Sequence, residues 1–479
     1  MTKVEKKSAL LILAAGKGTR MRSALPKVLH RVAGQPLIFH LLDRVKEVAP
    51  RVPICLVVGQ GKEQVMAAIQ DEVRYQDLDI SFVTQAEQRG TGHAVSCAMK
   101  SSWGAARRKK REFVAILPGD TPLISSELVQ RILQPLKKGT LLRIVTARAP
   151  EPQGYGRVVR KAGRILRIVE EKDATAKQRA LHEVNVSIYV IDSEFLSVTL
   201  PRLGTQNAQK EYYLTDVLAI AARKPRAVED FLWERFEDLT GINDPWELAR
   251  VNRLARDRIL ERHARSGVRF ADPLSTWIDS TVELAEDVEV GPGVILQGKT
   301  RIGCRSQIGA YSVLKDVVVG ENVKLRVGVV AENAQIERGA TLGPYAHLRP
   351  ESYVGEEAKI GNFVELKKTR VGPQTSIAHL SYLGDAEVGA RVNIGCGFVT
   401  CNFDGREIAG SRKHRTVIED DVFMGSDCQT VAPVRVGRGA FVASGSTITR
   451  EVEPDALAIA RAHQVNKPGY GKRLRTPRK

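Results

Sequence analysis

The stretch Ile336–Leu366, IERGATLGPYAHLRPESYVGEEAKIGNFVEL, sets an apolar residue at every sixth position: Ile336, Leu342, Leu348, Val354, Ile360 and Leu366. A period of six matches neither the 3.6 of an α-helix nor the strict alternation of a half-buried strand. It is the pattern of a parallel β-helix, where each short wall turns one side chain inward. The register extends both ways. Ile302 and Ile308 precede it, Ile377 and Leu383 follow with a one-residue slip, and Met424, Thr430, Val436, Val442 and Ile448 form a last run. Glycine follows the apolar position at Gly303, Gly309, Gly343, Gly355, Gly361, Gly425 and Gly437, and reads as the small residue that permits a corner. A meander of hairpins would need longer strands and turns such as Asn-Gly, which are missing here. The register stops after Thr400 and resumes near Met424. Between them Cys401–Thr416 (CNFDGREIAGSRKHRT) is polar and reads as a loop thrown out from the coil, the kind of place where function is carried.

The first half has a different grammar. Leu10–Leu13, Pro53–Val58, Ile80–Thr84, Phe113–Leu117 and Leu142–Thr146 read as short buried strands, with amphipathic segments such as Leu37–Val48 between them. That alternation predicts an α/β domain with a mostly parallel, Rossmann-like sheet, whose ligand lies at the carboxyl ends of its strands. The loop after the first strand is Leu13-Ala14-Ala15-Gly16-Lys17-Gly18-Thr19-Arg20-Met21, followed by Lys27. Its glycines let backbone N–H groups approach a phosphate, and its basic side chains supply the opposing charge. It is neither the Walker loop nor GxGxxG. An ordinary glycine turn between strand and helix would look the same in isolation. Asp244–Gly267 predicts one polar helix, with Asp244 as N-cap and Pro245 at N1, connecting the two halves.

A chain of 479 residues predicts two or three domains. The net charge of +18 points to anionic partners, and phosphorylated small molecules suit it as well as nucleic acid does. Part of the excess is local, in Arg107–Arg111 and in the tail Lys467–Lys479; both read as solvated surface, and no aromatic-interleaved RNA motif accompanies them. Nucleic-acid binding is therefore not expected. Cysteines 55, 97, 304, 396, 401 and 428 form no CxxC pair, so neither a zinc site nor a disulfide framework is signalled, and a reducing cytoplasm fits. The apolar run after Met1–Lys7 is too short for a signal peptide or a membrane span.

Two short motifs add metal chemistry. Leu117-Pro118-Gly119-Asp120 sets a carboxylate just after a buried strand, and Gly241-Ile242-Asn243-Asp244 sets an amide oxygen near the end of the α/β half. Such oxygens suit a hard Mg²⁺ that also takes ligands from phosphates, although each motif alone is equally a turn. With Gln85–Ala94 (QAEQRGTGHA), Gly154-Tyr155-Gly156-Arg157, Glu170-Glu171-Lys172-Asp173 and Asn185, in this order, the first half resembles the sugar-1-phosphate nucleotidyltransferases. Together with the six-residue repeats and with Leu348-Arg349-Pro350, Gly361–Lys368 and His379–Asp385, nearly the whole chain resembles one family. It is that of the bacterial bifunctional N-acetylglucosamine-1-phosphate uridyltransferase/glucosamine-1-phosphate N-acetyltransferases.

The resemblance implies a nucleotidyltransferase domain over residues 1–243, a linker helix over 244–267 and a left-handed β-helix acetyltransferase domain over 268–479. It implies a homotrimer with acetyl-transfer sites between neighbouring β-helices. The expected chemistry is acetyl-CoA-dependent acetylation of glucosamine-1-phosphate, then Mg²⁺-dependent uridylyl transfer from UTP with release of pyrophosphate. The product, UDP-N-acetylglucosamine, would supply peptidoglycan and lipopolysaccharide precursors. On the same resemblance Leu13, Ala14, Ala15 and Gly16 hold the nucleotide, Arg20 and Lys27 meet its phosphates, and Gln85, Gly90 and Thr91 read the uracil. Asp120 and Asn243 hold Mg²⁺, and Gly156, Glu170 and Asn185 meet the sugar. In the second half His379 is the general base. Arg349, Lys367, Tyr382, Asn393 and Lys413 grip the sugar phosphate. Cys396, Asn402, Phe403, Ser426, Ser444 and Arg461 lie along acetyl-CoA.

The sequence departs from the family at Pro118, where an aromatic residue is usual, and at Asn185-Val186-Ser187, where the pattern is Asn-Thr-Gly. Phe403 stands for tyrosine, Cys396 for alanine, and the loop Gly405–Arg415 is about five residues longer than the common form. Two alternatives stay open at this point: an acetyltransferase whose nucleotidyl half is altered or inactive, and a trimeric scaffold that binds nucleotide sugars without turnover.

Overall fold

A computed structural model describes residues 8–110, 112–405, 407 and 412–475. Met1–Lys7, Arg111 of the basic run, residues 406 and 408–411 of the long loop, and residues 476–479 of the tail lie outside the described residues. The chain forms two compact units, Met1–Ala255 and Arg256–Lys479.

The first unit is built on a nine-stranded sheet. Its strands are β1 (Ser8–Ala14), β2 (Ile54–Val58), β3 (Ile80–Thr84), β4 (Phe113–Pro118), β5 (Leu142–Arg148), β6 (Gly156–Lys161), β7 (Arg164–Val169), β8 (Glu183–Asp192) and β9 (Val228–Trp233). The order is β9-β5-β8-β4-β1-β2-β3, with the β6–β7 hairpin attached to β8. Only β8 and that hairpin run antiparallel to their neighbours. β1 reads as a continuous apolar run because both faces are covered. Leu10 and Ile12 enter the core on one face, Ala9 and Leu11 the core on the other. The helix Leu37–Val48 (α1) buries Leu37, Ile38, Phe39, Leu41, Leu42 and Val45, the i, i+3, i+4 face of its pattern. Because Leu13 pairs with Pro118, β1 and β4 end together, so the glycine loop and Gly119-Asp120 leave the sheet side by side.

A helix spans Pro245–Arg265 (α2), two residues shorter at its C-terminal end than the sequence reading. Asp244 Oδ1 accepts from Glu247 N–H at 2.9 Å, an N-cap that satisfies one orphan donor. Within the first unit its Val251 and Ala255 pack with Met21, Val32, Leu37, Leu123 and Ile242.

The second unit is a left-handed parallel β-helix with three walls of 11, 10 and 9 strands. Most successive coils are spaced 17 or 18 residues apart, and the last 16, with Phe441 in register with Leu457. Every residue of the six-period register is buried, from Ile302 to Ile448. Buried hydroxyls are paired with carbonyls of the next coil, as in Thr369 Oγ1 to Leu383 O (2.9 Å) and Thr375 Oγ1 to Gly389 O (2.7 Å).

Two details differ from the sequence reading. The glycines after the inward residues are not the corner residues; of the seven, only Gly343 has a positive φ. They are small because the next coil passes too close: a Cβ on Gly361 would sit 1.8 Å from Ala378 O. The corners are turned instead by left-handed residues such as Tyr345 (φ 54°), Phe363 (φ 55°) and Asp385 (φ 50°). Secondly, the register resumes before Met424, at the strand Thr416–Ile418, whose Ile418 is buried and pairs with Val388. The coil that carries the loop takes 30 residues from Arg391 to Asp421.

Candidate functional sites

At the carboxyl ends of β1 and β4 lies a cavity of about 500 Å³. Leu13, Ala14, Ala15, Gly16, Arg20, Lys27, Gln85, Gly90, Thr91, Asp120 and Asn243 line it together. Gly18 takes a left-handed φ of 59° and starts a 3₁₀ turn over Thr19–Met21, leaving Gly16, Lys17 and Arg20 exposed. Lys27 Nζ donates to both Asp120 Oδ2 and Asn243 Oδ1, the latter at 3.1 Å. The surrounding backbone fixes both oxygens. Ile242 N–H donates to Asp120 O (3.2 Å), and Glu247 Oε2 accepts from Asn243 N–H (2.6 Å).

The base-side wall is a tight loop. Gly90 has φ 103°, and a Cβ there would come within 2.6 Å of Tyr212 O, so only glycine fits. Gly92 N–H donates to Tyr212 O and Tyr212 N–H to Arg89 O, tying Arg89–Gly92 to the segment before the helix Thr215–Ala221.

A second cavity of about 170 Å³ shares Leu13, Thr91, Ser187 and Glu211 with the first. Glu170 and Asn185 line it. Glu170 accepts from Thr215 Oγ1 at 3.2 Å. Burial raises its pKa, and nearby Asp173 and Asp216 push the same way. Asn185 Oδ1 accepts from Ser187 N–H (3.1 Å) and Tyr189 OH (2.9 Å), so its amide Nδ2 is the end left to donate to a ligand. Ser187 adopts φ 59° at the irregularity between Asn185 and Tyr189, the conformation that the family's glycine would adopt freely. Gly156 pairs with Asn185 and backs Glu170, whose Oε2 would meet its Cβ at 3.3 Å. Glu171 turns the other way, to the buried Arg157 at 2.8 Å.

Sequence reasoning missed Gln88 and Ser187 as lining of the first cavity, and Gln209, Glu211, Tyr213 and Thr215 as lining of the second; Pro118, which the sequence marks as facing the glycine loop, does line the first. Among the described residues no cluster of three or more His, Cys, Asp or Glu could hold a metal alone. Asp120 and Asn243 nevertheless converge on one positive charge, that of Lys27. Two hard oxygens around one cationic point, beside open space for phosphates, fit Mg²⁺, which takes one or two protein ligands and fills its shell from substrate and water.

On the β-helix, His379 is exposed and its Nδ1 lies 2.7 Å from Asn362 Oδ1, one coil earlier. An amide oxygen can only accept, so Nδ1 carries a hydrogen, and in the neutral ring Nε2 is the nitrogen with the lone pair. Arg349 pairs with Glu365 at 3.1 Å, and Glu365 is in register with Tyr382. Lys367 lies two residues along the same strand. The ammonium of Lys413 stands 4.2 Å from the Phe403 ring centroid. Asn402 is buried and donates to Asp385 Oδ2, while Arg461 donates to Ser444 O at 2.7 Å. Asn393, Cys396, Phe403, Ser426, Ser444 and Arg461 are exposed. Unlike the first-unit residues, these candidates are spread over the outer face of successive coils.

A nucleotide-scale cavity at the switch edge of an α/β sheet, in a chain that continues as a β-helix bearing an exposed imidazole, defines a two-headed transferase. The comparisons agree. Residues 10–184 match the MobA-like NTP transferase domain family. The chain is 44% identical to the bifunctional protein GlmU of Trichlorobacter lovleyi, over 97% of this chain and 98% of that protein. It is 42% identical to bifunctional GlmU of Geobacillus sp., over 97% of both chains. With bifunctional GlmU of Streptococcus equi subsp. zooepidemicus the identity is 42%, over 98% of both. The chain belongs to the bifunctional GlmU family and is a bifunctional transferase whose first unit is a nucleotidyltransferase. Among the described residues no helix is long and apolar enough to cross a membrane.

Proposed function

We propose that the first unit transfers uridylyl from UTP to N-acetylglucosamine-1-phosphate, and that the second first makes that substrate by acetylating glucosamine-1-phosphate with acetyl-CoA. The observation that carries the reading is the convergence of Asp120 and Asn243 on the Lys27 ammonium beneath the glycine loop. Leu13–Gly16 present backbone N–H groups to the nucleotide, with Arg20 and Lys27 on its phosphates. Gln85, Gly90 and Thr91 read the uracil. Glu170, Asn185 and Gly156 hold the sugar so that its phosphate oxygen meets the α-phosphorus in line with the departing pyrophosphate. Such chemistry needs positioning and charge neutralisation more than a base. Asp120 and Asn243 would hold Mg²⁺, which would supply that neutralisation of the phosphates when bound.

In the second unit, Nε2 of His379 accepts a proton from the substrate amine as its nitrogen attacks the thioester carbonyl; coenzyme A leaves as the thiol once that proton reaches its sulfur. Arg349, Lys367, Tyr382, Asn393 and Lys413 hold the sugar phosphate. Cys396, Asn402, Phe403, Ser426, Ser444 and Arg461 flank acetyl-CoA. The working form is a cytoplasmic homotrimer organised as residues 1–243, 244–267 and 268–479. Support for the trimer comes from one corner of the β-helix, where Tyr345, Phe363 and Leu380 on successive coils are all more than half exposed next to His379. Contiguous exposed apolar surface of this kind marks an interface. The product feeds peptidoglycan and lipopolysaccharide synthesis.

The experiment is a pair of assays on the purified protein. UTP, Mg²⁺ and N-acetylglucosamine-1-phosphate should release pyrophosphate, and acetyl-CoA with glucosamine-1-phosphate should release free thiol. Thiol release without pyrophosphate would leave an acetyltransferase alone, and silence in both would leave a binding scaffold.

A further inference from the structure

Behind the base-side wall of the first cavity, one histidine touches two residues of the loop that forms it, Gln85 and Glu87. His93 Nδ1 lies 2.9 Å from Glu87 O and 3.2 Å from Gln85 Nε2. Its Nε2 lies 3.7 Å from Cys97 Sγ, one turn along the helix Thr91–Lys100. A carbonyl oxygen can only accept, so the 2.9 Å contact requires the hydrogen on Nδ1. The bare Nε2 then accepts from the thiol of Cys97. Burial raises the pKa of that thiol, so it keeps the hydrogen it donates. Nδ1 then does not accept from Gln85 Nε2, and the two nitrogens adjoin without a hydrogen bond. Gln85 Nε2 donates instead to Gly90 O at 3.1 Å, and the side chain is almost fully buried. With one Nε2 hydrogen on Gly90 O and that nitrogen lying against the imidazole, Gln85 has Oε1 as the acceptor it offers a base. An oxygen acceptor there suits the N3–H of uracil and opposes the N3 lone pair of cytosine.

We propose that His93 is a positioning residue for pyrimidine selection: it closes the Gln85–Gly90 loop through Glu87 O and holds Gln85 with its oxygen toward the base. The inference rests on the reading that Gln85 meets the uracil, and its test separates the two. Asparagine can set its amide N–H near the place of Nδ1–H, whereas alanine removes both donor and packing.

The measurement is kcat and KM for UTP and for CTP in His93→Ala, His93→Asn and Gln85→Ala, with acetyl transfer by the same preparations normalising for folded enzyme. His93→Ala should lower the preference for UTP over CTP roughly tenfold, the worth of one hydrogen bond, chiefly through KM for UTP. His93→Asn should restore most of it. Equal loss in His93→Ala and His93→Asn would overturn the donor role. A normal preference in His93→Ala beside a collapsed one in Gln85→Ala would overturn the positioning role while keeping Gln85 as the reader. An unchanged preference in Gln85→Ala would overturn the base reading and this inference with it.

Discussion

His379 Nδ1 and Asn362 Oδ1 stand 2.7 Å apart on adjacent coils, in strands whose register pairs these two residues. The β-helix stacking therefore sets the imidazole tautomer, and the free Nε2 is a consequence of the fold. Asn362→Ala should lower kcat for acetyl transfer about tenfold or more, with KM for glucosamine-1-phosphate nearly unchanged and uridylyl transfer intact. Steady-state kinetics of both reactions on one preparation check this.

Phe363 and Leu380 follow Asn362 and His379 directly, so the apolar corner and the candidate base share a coil edge. Phe363→Glu should shift the assembly toward monomers in light scattering and depress acetyl transfer together, because a buried, unpaired carboxylate at an interface costs several kcal/mol (~3). Uridylyl transfer should persist. A trimer of unchanged mass would remove the corner from the interface.

Gly361 has no room for a side chain, with Ala378 O only 1.8 Å from where its Cβ would be. Gly361→Ala must push two coils apart and should destabilise the second unit by about 3 kcal/mol or more, read as a lowered midpoint in denaturant with unchanged slope.

Burial lowers the pKa of His263 to about 4, and Arg262 adds to the shift. Its ordinary value is about 6.5, so the unfolded chain binds this proton more readily than the folded one. The contribution is full above about pH 6.5 and is lost progressively as pH falls toward 4. His263→Leu should therefore narrow the difference in Tm between about pH 7 and about pH 5.

The six-residue register was legible because each coil repeats one physical requirement, an inward apolar side chain, and burial of Ile336 through Leu366 follows from it. The reason for the glycines was not, because it lies between coils: Gly361 is small on account of Ala378, seventeen residues on, and no local pattern states that. The first-unit site was partly legible, since Gly16, Asp120 and Asn243 each sit at the end of a recognisable segment. Glu211 and Tyr213 were invisible because their place at the cavity depends on backbone pairing between Arg89 and Tyr212. His93 was hidden in a quoted motif for a like reason: its partners, Glu87 O and Cys97, become partners only when the helix starts at Thr91.

The central claim is that two separate sites on one chain carry two separate reactions. The most direct measurement is pyrophosphate release and thiol release, side by side, in Asp120→Ala and His379→Ala. The account predicts that Asp120→Ala loses pyrophosphate release at least a hundredfold and keeps thiol release, and that His379→Ala does the reverse. Loss of both reactions in either folded variant, or acetyl transfer at the normal rate in His379→Ala, would contradict it.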